Sequence, residues 1–162
     1  MLKYADYDIV FQEVPNEVTL AINLSNCPNH CKGCHSAYLW GDVGEILTED
    51  ALAVLLKKYG QSITCVAFMG GDSEPFEVAK LAHYIHEIYG LKTAWYSGKI
   101  RLPDNFPITE FQFIKIGPYC ETLGGLKSTA TNQRLYKISQ NGEKEDITSV
   151  FWRKSFDTAC DN

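Results

Sequence analysis

Ten residues, Asn26 to His35 (NCPNHCKGCH), hold three cysteines and two histidines. Thiolate and imidazole are the donors that proteins offer to transition metals, so this stretch points to metal chemistry. Three readings compete. The embedded CxxCH of Cys31, Cys34 and His35 is the attachment pattern of a c-type haem. Cys27, Cys31 and Cys34, with His30 or His35, could close a tetrahedral zinc site. The spacing CxxxCxxC could instead bind a 4Fe-4S cluster through three thiolates and leave one iron without a protein ligand.

Composition bears on the choice. The chain has 162 residues, enough for one domain with its own core, here taken as residues 1–162. Its N-terminus carries Lys3, Asp6 and Asp8 and lacks an apolar signal core, and no apolar run approaches the ~18 residues of a membrane span. A cytoplasmic protein with no membrane partner is expected, in which six cysteines serve as ligands or core thiols rather than disulfides. A net charge of −5 without a basic cluster argues against nucleic acid. Haem attachment belongs largely to exported proteins and would leave Cys27 unused. Structural zinc usually recruits a distant ligand pair, whereas Cys65, Cys120 and Cys160 stand alone. Cys65 lies in an apolar run and reads as a core thiol, and Cys120 and Cys160 receive no role. His83 and His86, three apart on one helix, read as surface residues. An open metal position marks chemistry rather than scaffolding.

The elements that must position this loop are legible as hydrophobic periods. EVTLAINLS (Glu17 to Ser25) alternates as a strand and delivers the chain into the cysteines. TEDALAVLLKKYG reads as a helix, with Thr48 as N-cap, an apolar face of Leu52, Leu55, Leu56 and Tyr59, and Gly60 as the stop. ITCVAFM (Ile63 to Met69) is a strand buried on both faces. A second helix spans Pro75 to Tyr89, with Val78, Leu81, Ala82, Ile85 and Ile88 inward. LKTAWYS (Leu91 to Ser97) and EFQFIKIG (Glu110 to Gly117) are two more strands. Strands alternating with helices imply an α/β fold of parallel βαβ units. A complete eightfold barrel takes about 250 residues, so an incomplete, open (β/α) barrel is expected, with a hairpin-like C-terminal extension around Asn141-Gly142.

In such folds chemistry collects at the C-terminal ends of strands, where the unusual residues of this chain fall. MGGDSEP follows one strand: Gly70 and Gly71 permit close backbone approach, and Asp72 offers a carboxylate to an ammonium group. WYSG, with Ser97, follows the next. Taken singly, Gly-Gly-Asp is more often a turn than a site, and Ser-Gly is a weaker signal still. Their conjunction with the cysteine loop is much more specific.

That conjunction resembles the radical S-adenosylmethionine (SAM) superfamily, in which the open iron chelates the amino and carboxylate groups of SAM. By that resemblance Cys27, Cys31 and Cys34 hold the 4Fe-4S cluster, and Gly70, Gly71 and Asp72 correspond to the GGE motif that holds the methionine amino group, with Asp for Glu. Ser97 falls where a polar contact to ribose or carboxylate is common. Gly33, where an aromatic residue is usual, and His35 flank Cys34 at positions the resemblance assigns to packing around the adenine. IKIGPY and LGGLKSTATNQRLY narrow the likeness to the activating proteins of anaerobic ribonucleoside-triphosphate reductase, glycyl radical enzyme activases with a minimal barrel. It spans about residues 17–136.

The resemblance implies an enzyme that takes one electron from a flavodoxin or ferredoxin and cleaves SAM reductively. The resulting 5′-deoxyadenosyl radical would abstract a hydrogen from a glycine of the reductase large subunit. Tyr119, Asn132, Gln133 and Arg134 are expected to seat that partner, or else to cap the open strand edge. Two other readings stand beside it: a compact radical SAM enzyme acting on a small molecule, similar to the deazapurine synthase, and a non-catalytic zinc-binding protein.

Overall fold

The computed structural model describes residues 1–152, so Cys160 lies outside the described residues. Among the described residues eight strands form one mixed sheet: β1 (Lys3–Val10), β2 (Thr19–Leu24), β3 (Glu45–Ile46), β4 (Cys65–Met69), β5 (Lys92–Tyr96), β6 (Phe113–Ile116), β7 (Arg134–Ile138) and β8 (Lys144–Asp146). Their spatial order is β3-β1-β2-β4-β5-β6-β7-β8, so β3 and β8 are opposite edges and the sheet is open. The four central strands, β2, β4, β5 and β6, run parallel to one another. Parallel neighbours oblige the chain to cross back between strands. Helix α1 (Glu49–Tyr59) lies in the first return and α2 (Pro75–Tyr89) in the second, whereas the third, from β5 to β6, holds only a short 3-10 turn at Ile108–Glu110. The flanking pairs are antiparallel.

Strand β1 is the element that periodicity does not disclose. Its residues are half-buried or exposed, and the pairing with β2 slips between Tyr4 and Asp6, so no alternation survives in the sequence. The β7–β8 hairpin turns at Ser139 to Glu143, with Gly142 at φ +87°.

Both helices cover the same face. The Thr48 hydroxyl accepts the Ala51 amide at 3.1 Å, capping α1, and Leu52, Leu55 and Leu56 are buried beneath it. Helix α2 starts on Pro75, ends at Gly90 in the left-handed region, and buries Val78, Leu81, Ala82 and Ile85. Ile88, expected inward, is 63% exposed. At about 100° per residue it lies about 80° off the Val78 direction, at the margin of the stripe. Val66, Phe68, Trp95 and Ile114 receive the helices, while Cys65, Ala67, Ala94 and Phe113 face the other way with Val14 and Leu135. Burial pushes the Cys65 thiol up to about 12, which keeps it neutral in the core.

On that second face, the C-terminal ends of the parallel strands are in register: Asn23 pairs with Met69, Met69 with Tyr96, and Tyr96 with Lys115. This row is the floor on which the cysteine loop rests. Among the described residues no helix is long and apolar enough to cross a membrane.

Two left-handed glycines separate strain from packing. A Cβ on Gly90 (φ +64°) would meet nothing within 4 Å, whereas one on Gly71 (φ +91°) would lie 2.6 Å from Val78 Cγ2 and 2.8 Å from Leu24 Cδ1. Gly90→Ala should cost about 1–2 kcal/mol for the backbone alone. Gly71→Ala should lose a further ~1–3 kcal/mol to overpacking, read as a lower midpoint in urea unfolding at unchanged slope. Equal midpoints for the two variants would show that the Leu24–Val78 contact yields freely.

Candidate metal centre

The chain leaves β2 through Ser25 and coils immediately. Asn26 (φ +60°), His30 (φ +46°) and Gly33 (φ +78°) all adopt left-handed backbone, which winds the loop tightly enough to turn Cys27, Cys31 and Cys34 to one side. The Cys34 amide closes a turn on the Cys31 carbonyl at 3.1 Å, and the Cys27 amide donates to Leu39 O at 3.0 Å. The His30 ring stacks on Trp40 at 4.8 Å. Asn26 donates to Asp42 at 2.9 Å, and with Lys3 it holds that carboxyl below the usual range.

All three thiols are free and partly exposed, and they line one cavity of about 230 Å³ whose floor is Asn23, Met69, Tyr96 and Lys115. The Asn29 amide lies 3.7 Å from Cys27 Sγ, and the Ser36 N–H lies 3.4 Å from Cys34 Sγ. Tetrahedral Zn–S bonds of about 2.3 Å gather sulfurs to about 3.8 Å from one another, whereas a cube spreads its thiolates over separate irons. Among the described residues no three His, Cys, Asp or Glu groups are gathered closely enough to hold a single ion. Three thiols on one coiled loop, with N–H groups beside two of the sulfurs, are a donor set that fits a cluster. Cys27, Cys31 and Cys34 would hold it.

Asp72 joins this loop to the next strand end. Its Oδ2 accepts from Asn29 Nδ2 at 2.6 Å and from the Gly98 N–H at 2.8 Å, and its Oδ1 accepts from the Ser97 hydroxyl at 2.5 Å. Gly98 is required by this arrangement, since a Cβ there would lie 2.5 Å from the Asn29 amide. An ionised carboxylate offers about four acceptor sites, so one on Oδ1 remains. Asp72 also borders a second cavity of about 440 Å³, lined with Trp95, Ser97, Lys99 and Arg101. The two cavities meet at this carboxylate, and together they fall within the ~300–1,000 Å³ of small-molecule sites.

The remaining predicted residues divide. Gly70 lines the cysteine cavity, and its carbonyl accepts the Trp95 indole at 2.7 Å. Gly71 is packed between Leu24 and Val78. Ser97 is buried against Asp72 rather than presented separately. Gly33 and His35 stand on either side of Cys34. Neither lines the cavities that meet at Asp72: the left-handed turn at Gly33 brings it under Glu121, and the His35 ring lies 5.8 Å from Tyr119. Gln133 is buried and directs its amide to Gly117 O, and Asn132 donates to Pro118 O at 3.1 Å, so both brace the Gly117–Pro118 corner. Arg134 faces Asp146 at 3.8 Å. Cys120 is partly exposed, and the Thr122 hydroxyl holds its thiol below the usual range.

Two site residues escape a reading of residue types. Asn29 bridges the loop to Asp72, but an asparagine in a loop looks like any other. Lys115 left a fainter mark, a cation inside the apolar alternation FIKI. The residue is 8% exposed, and its ammonium donates to Ser97 O at 2.8 Å and Gly117 O at 2.9 Å. Burial pushes it down to about 8, opposed by Asp72 and by the thiols of Cys31, Cys27 and Cys34.

Comparison with known proteins matches residues 17–103, more than half of the chain, to the family described as 4Fe-4S single cluster domain. No curated protein and no solved structure matches the chain. The matched span carries the cysteine loop, Gly70 to Asp72, and Ser97, which is the region where the two cavities meet. The chain belongs to the 4Fe-4S single cluster domain family and is an iron-sulfur protein.

Proposed function

We propose that this protein is a radical SAM activase that generates a glycyl radical on the large subunit of anaerobic ribonucleoside-triphosphate reductase, in the cytoplasm, with a flavodoxin or ferredoxin as electron donor. The carrying observation is that one carboxylate, Asp72, stands between the three-cysteine cavity and a second cavity beside it. A ligand that must touch an open iron at one end and fill an adjoining pocket at the other suits that juxtaposition. On this reading the open sheet is a minimal form of the radical SAM barrel, and its wide mouth admits a loop of another protein.

When bound, the cluster and SAM together supply one-electron cleavage of a sulfonium. The chain's own residues bind and orient. Cys27, Cys31 and Cys34 would ligate three irons. The free acceptor site on Asp72 Oδ1 would take the methionine ammonium, while Asn29, Ser97 and Gly98 keep the carboxylate from rotating. Tyr119 would meet the partner beside His35, where a further cavity of about 360 Å³ opens between them, Tyr96 and Lys127. Asn132 and Gln133, which brace the Gly117–Pro118 corner, would shape that surface from behind.

Anaerobic reconstitution should give brown protein with about four irons per chain, which cleaves SAM to methionine and 5′-deoxyadenosine under reduction. Colourless protein with stoichiometric zinc would end this reading. Replacing Cys27, Cys31 or Cys34 by Ala should abolish iron retention, whereas Cys65→Ala and Cys120→Ala should keep it. Iron lost from Cys120→Ala alone would move the ligand set. Asp72→Asn preserves side-chain size and an acceptor oxygen but removes the charge. It should keep its iron and weaken SAM binding about tenfold to a hundredfold, the worth of a charged hydrogen bond of about 1.5–3 kcal/mol. Calorimetry showing undiminished affinity would remove Asp72 from the SAM pocket. Tyr119→Ala and Arg134→Ala should leave SAM cleavage near normal while lowering glycyl-radical yield in the mixed proteins, read by electron paramagnetic resonance. Full yield in both would discard this docking surface.

A further inference from the structure

Lys115 is a buried cation for which the reading above has no use. It leaves β6 on the face shared with Asn23, Met69 and Tyr96, and its ammonium lies 6.0 Å from the centre of the Tyr96 ring. Two backbone carbonyls, of Ser97 and Gly117, accept its hydrogens. They satisfy hydrogen bonds but carry no charge. Among the described residues no carboxylate lies within 4.0 Å of it, and Asp72 directs its oxygens to Asn29, Ser97 and Gly98. A cation withdrawn from water needs a counter-charge, or it is strongly unfavourable. The acidic groups that share its cavity are Asp72, whose carboxylate is already engaged by three donors, and the thiols of Cys27, Cys31 and Cys34. Once the thiols are thiolates on a cluster, the buried lysine faces an anion across a shared cavity, where attraction is stronger than between charges in bulk water.

We propose that Lys115 is the fixed counter-charge of the cluster and raises its reduction potential. Reduction brings one electron from an external donor onto the cluster. No bond or proton changes at Lys115. The added negative charge is stabilised by the ammonium beneath it, in keeping with the dependence of cluster potentials on nearby charge and hydrogen bonding. The carbonyls of Ser97 and Gly117 set the position of that charge, holding it at the ends of β5 and β6 where a freely rotating lysine would turn toward solvent. The inference rests on the cluster and not on SAM.

The test is a redox titration of the reconstituted protein at neutral pH without SAM, read by electron paramagnetic resonance, on wild type and three variants. Lys115→Gln keeps an N–H donor for the carbonyls but no charge, Lys115→Met keeps neither, and Lys115→Arg keeps the charge. At one applied potential the ratio of reduced to oxidised cluster should fall about tenfold in the Gln and Met variants, a 59 mV lowering for one electron, and stay within about threefold of wild type in the Arg variant. A Lys115→Gln protein with full iron and the wild-type midpoint overturns the proposal. So does loss of iron from both neutral variants, which would make Lys115 a strap between two strand ends. Because SAM is absent throughout, neither result depends on whether the protein is an activase.

Discussion

The Asp72 carboxylate is the constraint on which the site depends. It sits where three segments must meet: the cysteine loop through Asn29, the end of β5 through Ser97 and Gly98, and its own turn after β4. None of these segments is held there by apolar packing alone. Hydrogen bonds to an ionised acceptor are about twice as strong as neutral ones, so one carboxylate can order three loops that would otherwise move independently. Gly98 shows how closely they are drawn in, because its missing Cβ is the space the Asn29 amide fills. Asn29 Nδ2 also lies 3.7 Å from Cys27 Sγ, so the same amide touches the first cysteine and the carboxylate.

The sheet makes room for this junction by being unequal on its two faces. Helices α1 and α2 cover one face with leucine, valine, alanine and isoleucine, packed on Phe68 and Trp95 of the strands. The opposite face of the parallel strands carries the small side chains Cys65, Ala67 and Ala94, packed with Val14, Phe113 and Leu135. Toward the strand ends that face turns polar, through Asn23, Tyr96 and Lys115. The result is a floor with dry, small residues at its base and hydrogen-bonding groups at its rim. Tyr96 anchors the middle of it, its hydroxyl donating to Glu13 O, and burial pushes the phenol above its ordinary value so that it remains neutral.

How much of this was legible follows from what each element asks of its residues. The parallel strands and both helices announce themselves because burial dictates their period, and Thr48, Pro75 and Gly90 stand where a cap, a first turn and a left-handed stop are needed. The cysteines were visible as a donor type at a spacing. Strand β1 was hidden because its residues are half-buried or exposed and its register with β2 slips, so it need not alternate. Sequence adjacency to Cys34 does not say which way the left-handed turn at Gly33 sends Gly33 and His35. Gln133, expected to seat a partner or cap the strand edge, has its amide buried against Gly117 O at 3.4 Å. Residues defined by partners far along the chain, such as Asn29 with Asp72, leave no local trace.

A site built from three thiolates and one carboxylate would by itself gather negative charge at one end of the sheet, and a cofactor that accepts an electron adds more. The chain as a whole is already acidic, at −5. Long-range attraction from surface lysines is screened within about 10 Å in ordinary salt, so it cannot answer a charge held in a pocket. A buried ammonium can, because it is itself withdrawn from solvent and lines the same cavity as the three cysteines. Placing that ammonium on a central strand rather than a loop gives it a fixed distance to its neighbours, and tying it to two carbonyls removes the freedom that a long side chain would otherwise keep. The same carbonyls belong to Ser97 and Gly117, the residues where β5 and β6 turn into the loops of the site. The lysine therefore couples the electrostatics of the pocket to the geometry of its rim, and a change that loosens one loosens the other.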